Sequence, residues 1–144
     1  MEIAIATTNE QIDRCYPVMA ELRPQLTRER FVPLVRRLES TTGLKLAYLT
    51  DYDEIRCVAG YRISEWLAGG RYLEIEDLVS KASERSKGYG GAVFDWLVQL
   101  AAENACRQVR LVSNVRRTDA HRFYVRKGMS LEAHYFSINV NPRH

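Results

Sequence analysis

Apolar positions recur with a period of two along some stretches of the chain and near 3.6 along others, and the changes of period mark the elements. Glu2 to Thr7, where Ile3 and Ile5 alternate with smaller residues, predicts a first strand. Thr8 and Gln11 have capping-box spacing, and Ile12, Cys15, Tyr16, Met19 and Leu22 then follow at helical intervals. Pro17 falls inside that pattern and predicts a kink or a late start, and Arg23-Pro24 closes it. Thr27 is placed to cap a second helix whose Phe31, Leu34, Val35 and Leu38 form one stripe, ended at Thr41 to Gly43.

Leu44 to Thr50 and Ile55 to Trp66 predict two strands joined by the polar turn Asp51-Tyr52-Asp53-Glu54. Ala68-Gly69-Gly70-Arg71 marks a second turn, and Tyr72 to Ser80 the next strand, which carries Glu74, Glu76 and Asp77. Tyr89 to Asn104 is a helix with Val93, Phe94, Leu97, Val98, Leu100 and Ala101 on a wide apolar face. Val109 to Ser113 is then a short strand, so the strand, helix, strand order predicts a parallel pair with a right-handed crossover. Thr118 to Lys127 gives a further helix stopped by Gly128. Leu131 to Val140, rich in aromatic and β-branched residues, predicts one or two final strands. The sum is a mixed α/β sheet covered by helices, in a single domain over residues 1–144.

Composition narrows the function classes. With 46% hydrophobic and 27% charged residues the chain belongs with ordinary globular domains. A net charge of +3, from 21 Lys and Arg against 18 Asp and Glu, argues against a nucleic-acid partner. No apolar run approaches the roughly 20 residues that span a bilayer, and the start lacks a secretory pattern, which predicts a cytoplasmic protein without a membrane partner. Cys15, Cys57 and Cys106 form no C-x-x-C pair; they read as reduced packing residues, and no metal is expected.

The chemistry concentrates in Arg85-Ser86-Lys87-Gly88-Tyr89-Gly90-Gly91, between a strand and a long helix. Glycines permit close approach, a helix start offers unpaired N–H groups, and Arg85 and Lys87 add positive charge, a combination suited to a pyrophosphate. The other reading is a tight turn whose glycines serve packing alone. Val93 stands where a dinucleotide fingerprint needs its third glycine, and no Walker-type loop occurs, so NAD and P-loop sites are disfavoured.

In this stretch Arg85-x-x-Gly88-x-Gly90 resembles the Gln/Arg-x-x-Gly-x-Gly/Ala signature of the GNAT superfamily of acetyl-CoA-dependent N-acetyltransferases. Tyr72 to Val79 resembles the family's acidic fourth strand, and Ala120-His121-Arg122-Phe123-Tyr124 through Gly128-Met129 its later helical segment. The resemblance is strong over residues 72–129. It implies the order β1-α1-α2-β2-β3-β4-α3-β5-α4-β6, with an optional β7, and a sheet splayed between its fourth and fifth strands. It implies that Leu78, Val79 and Ser80 pair with pantetheine through their backbones, and that Arg85, Ser86, Lys87, Gly88, Tyr89, Gly90 and Gly91 hold the pyrophosphate. Asn114 and Tyr124 are further cofactor contacts in this carry-over; Arg117 replaces the Asn commonly found near that helix.

Transfer of an acetyl group to an amine needs a base, an oxyanion donor and an acid for the thiolate. Glu74 and Glu76, two apart in a strand, lie roughly 6–7 Å apart on one face and discourage each other's ionisation. Either is a candidate base, with Glu76 ranked first; the alternative is that both are solvated acids. Asp77 should face the other way unless a bulge intervenes. The backbone N–H of Leu78 or Val79 is the oxyanion donor, and Tyr124 is the acid in the family's pattern. The implied partners are acetyl-CoA as donor and a small-molecule or protein amine as acceptor, and the aromatic final segment invites pairing with a second subunit. The alternative function is a catalytically silent module of the same fold that binds CoA or a partner protein.

Overall fold

The computed structural model describes residues 1–141 and divides the chain into two units, Met1–Leu111 and Val112–His144. The first contains β1 (Glu2–Ile5), α1 (Asn9–Leu22), α2 (Arg28–Thr42), β2 (Lys45–Asp51), β3 (Glu54–Trp66), β4 (Gly70–Ser80), α3 (Tyr89–Glu103) and β5 (Gln108–Arg110). Sheet order follows chain order, β1-β2-β3-β4-β5. The first three pairings are antiparallel and β4-β5 is parallel, as a crossover through α3 requires.

The local chemistry explains the ends. Thr8 Oγ1 accepts from the Gln11 N–H at 3.1 Å while Gln11 Oε1 accepts from the Thr8 N–H at 3.0 Å, a complete capping box. Pro17 sits inside an α1 that runs unbroken from Asn9 to Leu22. The expected late start is therefore absent, the capping box being the stronger signal. Thr27 is the N-cap of α2 without a side-chain bond, and Gly43, at φ 79°, closes that helix. Tyr52 and Asp53, both with left-handed φ, make the two-residue turn between β2 and β3.

Ile12, Cys15, Val18 and Met19 of α1 and Phe31 and Val35 of α2 pack on Leu46, Tyr48, Val58 and Val79 of the sheet. Alternate residues Leu49, Cys57 and Ala59 are fully buried on the opposite face, where α3 inserts Val93 and Leu97, both at 0% exposure. Each such aliphatic side chain contributes about 1.5–3 kcal/mol by leaving water. Burial pushes the Cys15 thiol up to about 12 and Cys57 up to about 11, so both are inert packing residues.

The second unit holds α4 (Thr118–Arg126), followed by Gly128 at φ 95°. Residues 131–140 form no strand, which corrects the expected β6 and β7: the sheet has five strands among the described residues. High β-propensity does not make a strand without a neighbouring ladder, and these residues have none. β5 is also shorter than expected, three residues ending at Arg110 in place of a run to Ser113. Among the described residues no helix is long and apolar enough to cross a membrane.

Candidate functional site

β4 is the spine of the site. It pairs with β5 only through Tyr72↔Gln108, Leu73↔Val109 and Glu74↔Arg110, then continues to Ser80 with no strand on that edge among the described residues. Half of the backbone groups from Ile75 to Ser80 therefore point away from β3 with no ladder partner, an edge on which an extended amide-bearing chain can add.

The β3-β4 register jumps from Tyr61↔Ile75 to Gly60↔Asp77, leaving Glu76 as the extra residue of a bulge. The bulge changes where Asp77 points. Its carboxylate lies over Gly60, where a Cβ would stand 2.9 Å from Oδ2, and its Oδ1 accepts from Arg23 Nε at 2.7 Å. Only glycine fits at position 60 without displacing that carboxylate, which anchors the end of α1 on the bulge.

Glu74 and Glu76 are both held by arginines. Glu74 Oε1 accepts from Arg110 Nε at 2.7 Å, and Glu76 Oε1 accepts from Arg62 Nε at 2.6 Å. Arg62 also reaches within 3.9 Å of Glu74, so one guanidinium lies between the two carboxylates and offsets their repulsion. Arg110 stacks on the Tyr72 ring at 3.7 Å and on Trp66 at 4.3 Å. Donation from Arg62 to the Tyr72 hydroxyl holds that phenol below its ordinary range. Sequence reasoning missed Arg62 and Arg110, although the hairpin register that sets Arg62 opposite Glu74 would have pointed to one of them.

The loop between β4 and α3 begins where the Lys81 N–H donates to the Arg56 carbonyl at 2.9 Å. A 3-10 turn, Ala82–Glu84, follows, an element the sequence pattern did not reveal. Glu84 accepts from Arg56 at 2.7 Å and pairs with Lys87 at 2.8 Å, and the Lys87 hydrogen bond holds its carboxyl below the ordinary value. Ser86 at φ 74° and Gly88 at φ 85° are left-handed. Gly88 is the N-cap of α3 and supplies no side-chain cap; the first intrahelical bond runs from the Ala92 N–H to the Gly88 carbonyl. The N–H groups of Tyr89, Gly90 and Gly91 are thus the unsatisfied donors of a helix start. The Tyr89 hydroxyl donates to Asp51 at 2.8 Å and fixes the turn to the β2-β3 hairpin, which raises the phenol above its ordinary range.

A Cβ at Gly90 would meet only Ser80 Oγ, at 3.4 Å, and Gly90 does not have a positive φ. Packing and strain therefore do not demand glycine there. This leaves close approach of a ligand as the reason for it, and it moves the backbone requirement to Gly88. Arg85 makes no ion pair among the described residues, so its charge is unspent.

In the second unit, Asn114 Oδ1 accepts from the Arg116 N–H at 2.9 Å and its carbonyl lies 2.8 Å from His121 Nε2, so Asn114 organises the turn into α4. Tyr124 packs edge-on against Phe123 with centroids 5.5 Å apart. Burial raises its phenol above the ordinary value of 10.0, and nearby Arg117 opposes that rise.

The sequence profile of the acetyltransferase (GNAT) family matches residues 9–129. The uncharacterized N-acetyltransferase YhdJ of Bacillus subtilis (strain 168) is 34% identical over 131 residues, covering 90% of this chain and 92% of that protein. Among solved structures, a ribosomal-protein-alanine N-acetyltransferase from Brucella melitensis biovar Abortus 2308 is similar with TM-score 0.82 at 13% identity, covering 97% of this chain and 100% of that one. A transcriptional regulator from Bacillus halodurans C-125 is similar with TM-score 0.82 at 19% identity, covering 96% and 100%. At these identities the structural likeness bears on fold alone.

Proposed function

The chain belongs to the GNAT acetyltransferase family, and on that premise we propose that it moves an acetyl group from acetyl-CoA to a primary amine by direct attack in a ternary complex. The observation that carries this reading is the glycine at position 90, which the fold itself does not require, at a helix start beside the open edge of β4. Donors at Tyr89, Gly90 and Gly91, with the unspent charge of Arg85, suit a pyrophosphate. Ser86, Lys87 and Gly88 shape the cradle, and the outward backbone groups of Leu78 and Ser80 suit the amides of a pantetheine arm, whereas those of Val79 face Val58 of β3 and drop out of the expected set. Acetyl-CoA supplies the thioester; no metal is involved.

Each step then falls to a residue of the chain. Glu76 takes the proton from the incoming ammonium, directly or through water, because its side chain is 39% exposed and only Oε1 is committed to Arg62. Glu74, 15% exposed and tied to Arg110, holds Arg62 in place and so positions Glu76. The N–H of Leu78, which faces away from β3, donates to the thioester oxygen as charge develops there. Tyr124, kept protonated by burial, donates to the departing sulfur, and Asn114 adds a cofactor contact.

The acceptor is an amine of a small molecule or a protein. The test is release of free CoA from acetyl-CoA in the presence of polyamines, amino acids, aminoglycosides and protein amines in turn. One class should raise CoA release far above the rate of acetyl-CoA hydrolysis. No rise with any class, together with no thermal stabilisation by acetyl-CoA, would overturn the reading. One-site linkage predicts about 2.7 kcal/mol of stabilisation at 100 times the dissociation constant.

A further inference from the structure

We propose that Glu21, in the last turn of α1, is a positioning residue for the cofactor: its carboxylate fixes the backbone from which the Arg85 to Gly91 turn departs. The proposal rests on the pyrophosphate reading above and names a residue that prepares that site. β4 ends at Ser80, and the 3-10 turn Ala82–Glu84 leads the chain toward the cradle. The first N–H of such a turn has no partner within it, and Lys81, at the N-cap position, supplies no side-chain bond. Glu21 takes that donor: its Oε1 accepts from the Ala82 N–H at 2.7 Å, across 61 positions of sequence. A carboxylate on an exposed helix end is ordinarily solvated; here it caps a turn in a distant loop.

The same helix end grips β4 a second time. Arg23 donates to Asp77 Oδ1 at 2.7 Å and reaches the Glu76 carbonyl at 3.5 Å. The end of α1 therefore holds the strand on either side of Leu78 and Ser80, whose outward backbone groups suit the pantetheine arm. The later part of the cradle is held separately, by Arg56 on Glu84 and by Tyr89 on Asp51. Its entry at Ala82 depends on Glu21. A turn already fixed in its binding shape spares the ligand the cost of ordering it.

Charge gives the proposal a sign. Glu21 is an anion on the approach to a site for a polyanion, so if it acted through its charge alone, neutralising it would tighten CoA binding. Acting through the hydrogen bond, its removal does the reverse.

The experiment measures CoA affinity by calorimetry on the full chain, with the unfolding midpoint without ligand as the check of folding. Glu21→Ala should weaken CoA binding by roughly tenfold. Glu21→Gln keeps an acceptor oxygen and removes the charge, so it should bind CoA as tightly as the parent or more tightly. Ala82→Pro removes the donor from the other end, and Lys81 at ψ 135° accepts a following proline. In that background Glu21→Ala should add no further loss. Slowed hydrogen exchange of the Ala82 amide in the parent reads the bond directly and stands even where a variant fails to fold. A Glu21→Ala chain that binds CoA as tightly as the parent or more tightly, a Glu21→Gln chain as weak as Glu21→Ala, an undiminished loss in the Ala82→Pro background, or an unprotected Ala82 amide would each overturn the proposal. A parent chain that binds no CoA would instead overturn the pyrophosphate reading itself.

Discussion

Nζ of Lys87 lies 2.8 Å from Oε2 of Glu84, whose other oxygen accepts from Arg56 at 2.7 Å. The lysine that sequence aims at a phosphate is thus partly neutralised within its own loop. Glu84 is a nearly buried bridge between β3 and the cradle, and Arg85 carries the charge left for a ligand.

That bridge has a pH signature. The Glu84 carboxyl titrates below its ordinary value of 4.5, so the folded state binds fewer protons than the unfolded one just beneath that pH. Its contribution is complete above about 4.5 and is lost as pH falls through the folded value. Glu84→Gln should lower the melting temperature at neutral pH, with the gap to the parent closing in acid. Thermal unfolding of both proteins across that range checks this; a gap that widens in acid would contradict it.

Gly88 should be the costly glycine of the cradle for stability. At φ 85° a Cβ is strained although nothing stands within 4 Å of it. Gly88→Ala should cost about 1–2 kcal/mol in denaturant unfolding, while Gly90→Ala should stay within about 1 kcal/mol of the parent or gain slightly from helix propensity.

Glu76→Gln should reduce kcat/KM by roughly 100-fold or more if Glu76 takes the ammonium proton. Acetyl-CoA affinity should hold. Glu74→Gln should reduce the rate less. An unchanged kcat/KM in Glu76→Gln would remove the residue from the proton path.

Tyr124→Phe should keep acetyl-CoA affinity by calorimetry while turnover falls by roughly 100-fold. Equal turnover would assign Tyr124 to packing, as its contact with Phe123 alone would suggest.

Local rules were legible where neighbours in sequence decide the outcome. The Thr8–Gln11 capping box, the Gly43 and Gly128 stops, the buried face of α3 and the parallel β4-β5 pair all follow from short-range spacing. What stayed hidden depends on partners distant in sequence. Glu74, Glu76 and Asp77 read as mutually repelling acids, yet Arg110, Arg62 and Arg23 reach them across 36, 14 and 54 positions. Residues 131–140 were misread because their side chains suit a sheet, whereas a strand also needs an edge beside it.

The central claim is that the turn from Arg85 to Gly91 holds the pyrophosphate of acetyl-CoA, and Gly90→Val tests it most directly. A branched side chain there would occupy the ligand's approach, while α3 stays anchored by Val93, Phe94 and Leu97. CoA affinity by calorimetry and the unfolding midpoint in denaturant without ligand should be measured for parent and variant together. The account predicts that the variant stays folded, with a midpoint near the parent's, and loses CoA binding. A variant that binds CoA as tightly as the parent would contradict it.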